Sequence, residues 1–313
     1  MSYRLKLSEP LDAGRRRIVV GQIGRKQAAS KRRVAAPTWV HDTRKSLKRV
    51  RALLRLLRSG LSKKEWRRAN DDLRQIGRSL SALRERDVLP QTIAALRTTA
   101  QPSVAAALDR LVSVLDQAPK ATPDRRGVDH VDETSKSLSA AAARLGKLCL
   151  SGTSGQILSD GLAATHHSGQ RMLAATRRDP TDEAVHDLRK VIQIHWRQMQ
   201  LLERAWPDVL RVRAATAKDV AQALGQHQDL AMLIQAVQEA APDGPTEADV
   251  VSIVETCRRA QLALRVRALP LAARLFAADP HAFAAEVMAC WHLAEVACEG
   301  RTKRKKKASA GDP

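Results

Sequence analysis

Apolar residues recur every three or four positions along most of the chain, which is the spacing of helices that bury one face. Alternation of apolar and polar positions, which would indicate strands, is scarce, and tight hairpin dipeptides between apolar runs are missing. Pro and Gly residues separate one periodic segment from the next. The pattern predicts an all-α fold. Its predicted helices cover roughly 11–30, 38–58, 62–84, 88–99, 102–118, 131–149, 155–178, 182–206, 208–240, 246–277 and 280–299.

Two segments of the chain resemble each other. Val40–Lys45 has the sequence VHDTRK, and Val185–Lys190, 145 positions later, has the sequence VHDLRK. Each is followed by a long helical segment and then by an element that ends in an acid, Glu85 in the first copy and Asp229 in the second. Two matches in the same order rarely arise by chance. The sequence therefore predicts an internal duplication that forms two pseudo-symmetric antiparallel helical bundles.

The duplication and the Pro and Gly residues together define the predicted domain organisation. One domain spans 1–300, with a first helical repeat over about 8–118 and a second over about 128–300. A Pro-containing linker, 119–127, joins the two repeats. Residues 301–313 carry six Lys and Arg residues in close succession, and this composition predicts a disordered basic tail.

The charge of the chain indicates a polyanionic partner. There are 54 Lys and Arg residues against 33 Asp and Glu residues, a formal net charge of +21. The few aromatic residues disfavour a protein that stacks single-stranded bases. The four cysteines show no paired spacing and lie in apolar helical segments, which is typical of thiols in a reducing compartment. No leader and no apolar run of membrane-spanning length is found, so we expect a cytoplasmic protein without a membrane partner.

The helix that begins near the first copy is predicted to have a buried face and a basic face beside it, displaced by one residue along the sequence. Its apolar positions include Leu47, Val50 and Leu54. We call the row of basic residues beside this buried face the basic stripe. At a rise of ~1.5 Å per residue the stripe extends over roughly 25 Å. Like charges three and four residues apart repel each other, so the stripe is locally unfavourable, and an anionic ligand would offset that repulsion. A mixture of Arg and Lys suits a string of phosphates. The basic stripe comprises His41, Arg44, Lys48, Arg51, Arg55 and Arg58.

The second copy is less basic than the first. His186 and Arg189 begin the corresponding stripe, but Gln193 stands where the first copy has Lys48. His195 falls among the apolar positions and is predicted to be a core residue. We therefore expect the two halves to contribute unequally to a basic surface.

With both motifs in place, the chain resembles the CHAD domains. The segment VHDTRKSLKRVRALLRLLR is similar to that family's first motif, and RKVIQIHWRQMQLLERAWP followed by LGQHQDLAML is similar to its second. The resemblance extends from about Leu11 to Glu299 and implies two pseudo-symmetric bundles with a basic central groove or pore. It also implies binding of inorganic polyphosphate without catalysis, cofactor or metal, in proteins found at polyphosphate granules.

The resemblance assigns candidate binding residues by position. Glu85 and Asp229 are expected to orient a neighbouring His or Arg, or to cap the next helix, rather than to contact ligand. Arg17 and Arg171 are the weaker matches, and Gln193 departs from the Lys that is usual in the family. The predicted polyphosphate-binding residues are Arg17, His41, Arg44, Lys45, Lys48, Arg51, Arg55, Arg74, Arg78, Arg171, His186, Arg189 and Lys190.

Two other functions compete with polyphosphate binding. The basic tail could bind DNA or RNA, since a Lys-rich segment attracts any polyanion and specifies none. A metal-dependent phosphohydrolase is the less favoured alternative, based on the order of His166 or His167, His186-Asp187 and Asp229. The cations Arg189 and Lys190 follow directly after His186-Asp187, which disfavours a divalent metal at that place.

Overall fold

The computed structural model describes the backbone of residues 38–117, 126–240 and 244–309. Side chains within these ranges are described except at 38–41, 81–87, 117, 126–132 and 298–309. The described residues are helical and contain no strand, so the all-α prediction is confirmed. A 3-10 turn, Arg58–Gly60, follows the first helix. The α-helices are α1 Thr38–Leu56, α2 Lys63–Arg97, α3 Pro102–Gln117, α4 Arg126–Leu145, α5 Ser154–Arg178, α6 Asp182–Leu202, α7 Pro207–Ala240, α8 Glu247–Leu275 and α9 Pro280–Ser309.

Side-chain caps fix where several helices begin. Ser62 accepts a hydrogen bond from the backbone N–H of Glu65, whose carboxylate accepts one from the backbone N–H of Ser62 in return. Thr246 caps α8 reciprocally with Asp249. Thr181 caps α6 through the N–H of Ala184. Each cap satisfies N–H groups that have no partner within the helix, and it fixes the register of the residues that follow.

The prediction of two helices over 62–84 and 88–99 was wrong, because α2 continues through Pro90. A proline inside a helix removes one hydrogen bond and typically costs about 3 kcal/mol. The apolar positions of α2 nevertheless remain buried on both sides of Pro90, from Leu80 through Val88 to Ile93 and Leu96. Packing of Ile93 and Leu96 against α3, α7 and α8 outweighs the local cost.

Three apolar clusters hold the helices together, and α1 and α6 pack against each other. The largest cluster joins α1, α2, α4, α5 and α9 with the end of α6. The other two lie around α7 and α8. Gly161 lets α5 approach α1 closely, since a Cβ at this position would collide with the backbone carbonyl of Leu56. The helices that carry the two motifs are therefore held side by side.

Predictions were also made for the two ends of the chain and for the linker between the repeats. The prediction of a disordered tail from residue 301 was wrong for the backbone of 301–309, because α9 continues to Ser309. Extending an existing helix needs no new nucleation, and Lys, Arg and Ala are good helix formers. The predicted opening helix 11–30 and most of the linker 119–127 lie outside the described residues. Within the described part, no helix combines the length and the apolar character needed to cross a lipid bilayer.

Candidate polyanion-binding cavity

A cavity of about 1190 Å³ lies between α1, α2, α6, α7 and α8. The side chains that enter it come from both sequence halves, since α1 and α2 precede the predicted linker and the other three helices follow it. The two VHDxRK motifs begin near the N-terminal ends of α1 and α6, the helices that supply most of its basic residues.

The first motif supplies Arg44, Lys45 and Lys48 to the cavity. Thr43 and Leu47 are buried on the neighbouring face of α1, and their burial fixes the direction in which the basic side chains point. One guanidinium nitrogen of Arg44 donates a hydrogen bond to the backbone carbonyl of Leu80 in α2, at 3.0 Å. This contact orients the Arg44 side chain relative to α2.

The second motif supplies Arg189 and Gln193. Arg189 lies directly over Gly225 of α7, where an added Cβ would be 3.1 Å from a guanidinium nitrogen. Any larger residue at position 225 would push the Arg189 side chain, so Gly225 sets its position. Gly225 belongs to the LGQHQD element that ends the second motif, but its role was not predicted from that element.

Arg197 is the most unusual cation that lines the cavity. It is only 7% exposed, its guanidinium stacks 3.6 Å from the centre of the Trp196 ring, and it donates to the Gln200 side-chain oxygen at 2.7 Å. Burial, together with the positive charge of Arg49, lowers the pKa of Arg197 to about 10. Arg197 stays protonated at neutral pH, and none of the described carboxylates forms an ion pair with it.

Arg267 of α8 completes the basic lining, and two carboxylates oppose it. Of the side chains described in the structure, six basic ones line the cavity, compared with the acids Asp219 and Asp229. The balance is positive, and the site is recessed between helices, where a charge interacts more strongly than it does on an open surface. The basic residues that line the cavity are Arg44, Lys45, Lys48, Arg189, Arg197 and Arg267.

The remainder of the basic stripe lies outside the cavity lining. Arg51 is half-buried, and its pKa is lowered by burial and by the positive charges of Arg55 and Arg74. These three cations are thus close enough to repel one another. Arg78 is exposed on the same helix as Arg74. Arg58, the last residue of the stripe, lies 4.6 Å from the centre of the Trp66 ring, where the indole packs against its guanidinium.

Several predicted binding residues are not brought into the cavity. Lys190 points to solvent and forms an ion pair with Asp187 at 2.7 Å. His186 is half-buried outside the lining, and its pKa is lowered by burial and by the charges of Lys190 and Arg189. Arg171 is exposed on α5. Arg17 and the side chain of His41 lie outside the described residues, although the backbone of His41 is in the first turn of α1.

The two acids of the repeated motif lie inside helices. Asp229 is well within α7 and Glu85 well within α2, so the alternative that they cap a following helix was wrong. The other alternative, that they orient a neighbouring His or Arg, stays a prediction. Capping requires a position just before a helix begins, and these helices are longer than the motif suggested. Asp229 lines the cavity beside Gly225 and Gln226. The side chain of Glu85 lies outside the described residues.

His195 is buried in the second half, as predicted, and so is His166. His166 stacks on Phe283 and its Nε2 lies 3.0 Å from the carbonyl oxygen of Ala278, while Arg213 donates to Nε2 of His195. His166 therefore packs in the core rather than with His186. Among the side chains that the structure describes, no three His, Cys, Asp or Glu residues are grouped to hold a metal ion.

The fold and the cavity together define an all-helical protein with a basic cavity between helices from its two halves. The model of the CHAD domain family matches residues 21–238, and the chain therefore belongs to that family. The chain is also similar in fold to the crystal structure of the CHAD domain from the plant Ricinus communis, with a TM-score of 0.52 and 18% sequence identity. That match covers 89% of this chain and 95% of the plant domain. No curated protein matches the chain by sequence.

Proposed function

We propose that this protein binds inorganic polyphosphate, without catalysis, in the cavity between α1 and α6. The observation that carries the proposal is the convergence of six cations from both halves on one recess, against two carboxylates. A recess lined by more cations than carboxylates attracts an anion, and a bound anion would offset the repulsion between the like charges. The resemblance of the two motifs to those of polyphosphate-binding CHAD domains points to the same ligand.

The buried Arg197 supports an anionic ligand in particular. Burial and the neighbouring Arg49 disfavour its charged form, and the side chains that contact its guanidinium, Trp196 and Gln200, carry no negative charge. A phosphate oxygen in the cavity would supply the missing charge-assisted hydrogen bond. A buried cation that serves only stability would instead be expected to have a carboxylate partner.

A chain of phosphates fits the distribution of cations better than a single phosphate does. Arg44 and Lys48 lie in the cavity, and Arg51, Arg55 and Arg74 continue along the surface beyond its lining. One orthophosphate could contact only a few of these groups, whereas an extended chain could pass from one set to the other. From the family resemblance we also infer a cytoplasmic protein that associates with polyphosphate granules.

The test is a competition titration of long-chain polyphosphate, orthophosphate, RNA and DNA against the full chain at two salt concentrations. We expect long-chain polyphosphate to bind tightest, with affinity falling steeply as salt rises, because binding releases condensed counterions. Equal affinity for orthophosphate, or no salt dependence, would contradict the proposal.

A chain shortened by residues 301–313 separates the cavity from the basic end of α9. If the cavity is the main site, the shortened protein keeps its polyphosphate affinity and loses most of its affinity for DNA and RNA. Stronger RNA than polyphosphate binding in the shortened protein would favour a nucleic-acid-binding function instead.

A further inference from the structure

The basic cavity is continuous with a second recess, which we call the cleft. The cleft has a volume of about 690 Å³ and lies between α2, α7 and α8. It begins where the basic cavity ends, since the two share part of their lining. The shared residues, which we call the junction, are Val88, Gln91, Gln226, Asp229 and Arg267.

The chemistry of the walls changes at the junction. Beyond it the cleft is lined mainly by aliphatic side chains, with Ala95 and Leu96 on one side and Ala263 and Leu264 on the other. Among the described residues that line the cleft, Asp229 and Arg267 are the charged ones, and both belong to the junction. From Val88 to Leu96 the wall on α2 extends over about 12 Å at ~1.5 Å per residue. A phosphate chain would lose its hydration there without gaining a cation.

We propose that the cleft holds the nucleoside of a nucleoside polyphosphate whose phosphates occupy the basic cavity. The inference rests on the proposed function and extends it, because it names an organic group attached to the phosphate chain. Arg267 stands at the boundary, where the first phosphate after the nucleoside would lie. The aliphatic side chains of α2 and α8 face the cleft from opposite sides and can sandwich a flat base.

The polar groups of the cleft favour a nucleoside over a lipid tail. The carboxamides of Gln91 and Gln226 each offer donors and an acceptor, and Thr92 adds a hydroxyl. The carboxylate of Asp229 can accept hydrogen bonds from sugar hydroxyls, as acidic residues do in nucleotide sites. An acyl or prenyl chain would desolvate these groups without giving them a hydrogen bond.

The experiment compares ATP with tripolyphosphate by calorimetric titration of the full chain. Tripolyphosphate carries the higher charge, so electrostatics alone would favour it. If the cleft takes the nucleoside, ATP binds about tenfold tighter than tripolyphosphate through burial of the base. Ala263→Phe, which fills the cleft, then removes that advantage and leaves tripolyphosphate affinity unchanged. Leu262→Phe is the matched control, because Leu262 is exposed on the same helix and does not line the cleft.

The outcomes distinguish this inference from the proposed function. Tight tripolyphosphate binding with no preference for ATP overturns the inference and leaves polyphosphate binding intact. Absence of binding by ATP, tripolyphosphate and long-chain polyphosphate overturns both. A preference for farnesyl diphosphate over ATP, lost in Ala263→Phe, would assign the cleft to a lipid phosphate and overturn the nucleoside. Equal loss of ATP affinity in Ala263→Phe and Leu262→Phe would also contradict the inference.

Discussion

Helices α1 and α6 carry the same motif but place their cations differently. In α1 the cations follow one stripe, so that Arg44 and Lys48 reach the cavity and Arg51 and Arg55 lie beyond its lining. In α6 the cation that reaches the cavity after Arg189 is the buried Arg197. The corresponding position of α1, 145 residues earlier in the sequence, is Ala52. The comparison shows that two related helices can supply charge to one recess from different helical positions.

The two halves also differ in their buried ionisable groups. The second half buries His166, His195 and His227, and it contains the buried Arg197. In α1, by contrast, the positions that match His195 and Arg197 are Val50 and Ala52, which are apolar and buried. We therefore expect the second half to determine how the protein responds to acid, and α1 to determine most of the ligand affinity.

The largest expected effect is acid destabilisation caused by His227. Burial, despite nearby Asp182, lowers the pKa of His227 to about 4, while in the unfolded chain it is near 6.5. Between these values the unfolded chain binds more protons, so the free energy of unfolding falls as pH falls from about 6.5 to about 4. A shift of this size corresponds to about 3 kcal/mol. Urea denaturation between pH 7 and 4.5 measures it.

His227→Gln is the matched variant for that measurement. A Gln side chain keeps hydrogen-bonding groups in the site and does not titrate, so we expect a weaker dependence of stability on pH. Stability that is constant between pH 7 and 4.5 in the unmodified protein would contradict the assignment.

Next in size is the loss of affinity on reversing a charge of α1. Lys48→Glu replaces a cation of the cavity by an anion, and like-charge repulsion should weaken polyphosphate binding at least about thirtyfold. Gln193→Glu changes the corresponding position of α6 and is expected to cost only about threefold, because no cation is lost. Calorimetric titration of both variants in one buffer provides the comparison. Equal losses would show that α1 is not the dominant contributor.

A smaller loss is expected for Arg197→Met, and it should occur without loss of stability. Methionine can fill the space beside Trp196 and removes a buried charge that has no ion-pair partner among the described residues. Polyphosphate affinity should fall about tenfold, and the Tm without ligand should stay the same or rise. A clear drop in Tm with unchanged affinity would mean that Arg197 serves the core rather than the ligand.

The smallest expected effect is a gain in affinity. Gln193→Lys would give α6 the cation that Lys48 gives α1, at a half-buried position that lines the cavity. We expect about threefold tighter polyphosphate binding, with the gain lost at high salt because it is electrostatic. Titration at low and high ionic strength checks this, and an unchanged or weaker affinity at low salt would contradict it.

The features predicted from sequence are those that repeat within one helix. Periodicity with the Pro and Gly punctuation predicted α1, α5 and α7 to within two residues, while α6 ends four residues before its predicted end. Arg44, Lys48 and Arg189, which were predicted as binding residues, line the cavity. The split of α2 into 62–84 and 88–99 was wrong because the helix is continued by packing against helices that are distant in the sequence, which local periodicity does not reveal.

The residues that sequence did not identify depend on contacts between helices. Arg267 belongs to no motif, and only the approach of α8 to α7 brings it to the cavity. Gly225 matters because the Arg189 side chain lies over it. Lys190 matched the motif, yet its position on α6 places it on the exposed side of the helix, where it forms an ion pair with Asp187. A motif thus indicates which helix bears the site but not which of its side chains point inward.

The most direct test of convergence is the salt dependence of polyphosphate affinity in Lys48→Gln, Arg189→Gln and the double variant. If cations of both halves contact one ligand, each single variant reduces the log-log slope by about 0.7 and the double variant reduces it by about 1.4. A double variant whose slope matches that of Lys48→Gln alone would show that Arg189 does not reach the bound chain, and the account of a shared cavity would be wrong.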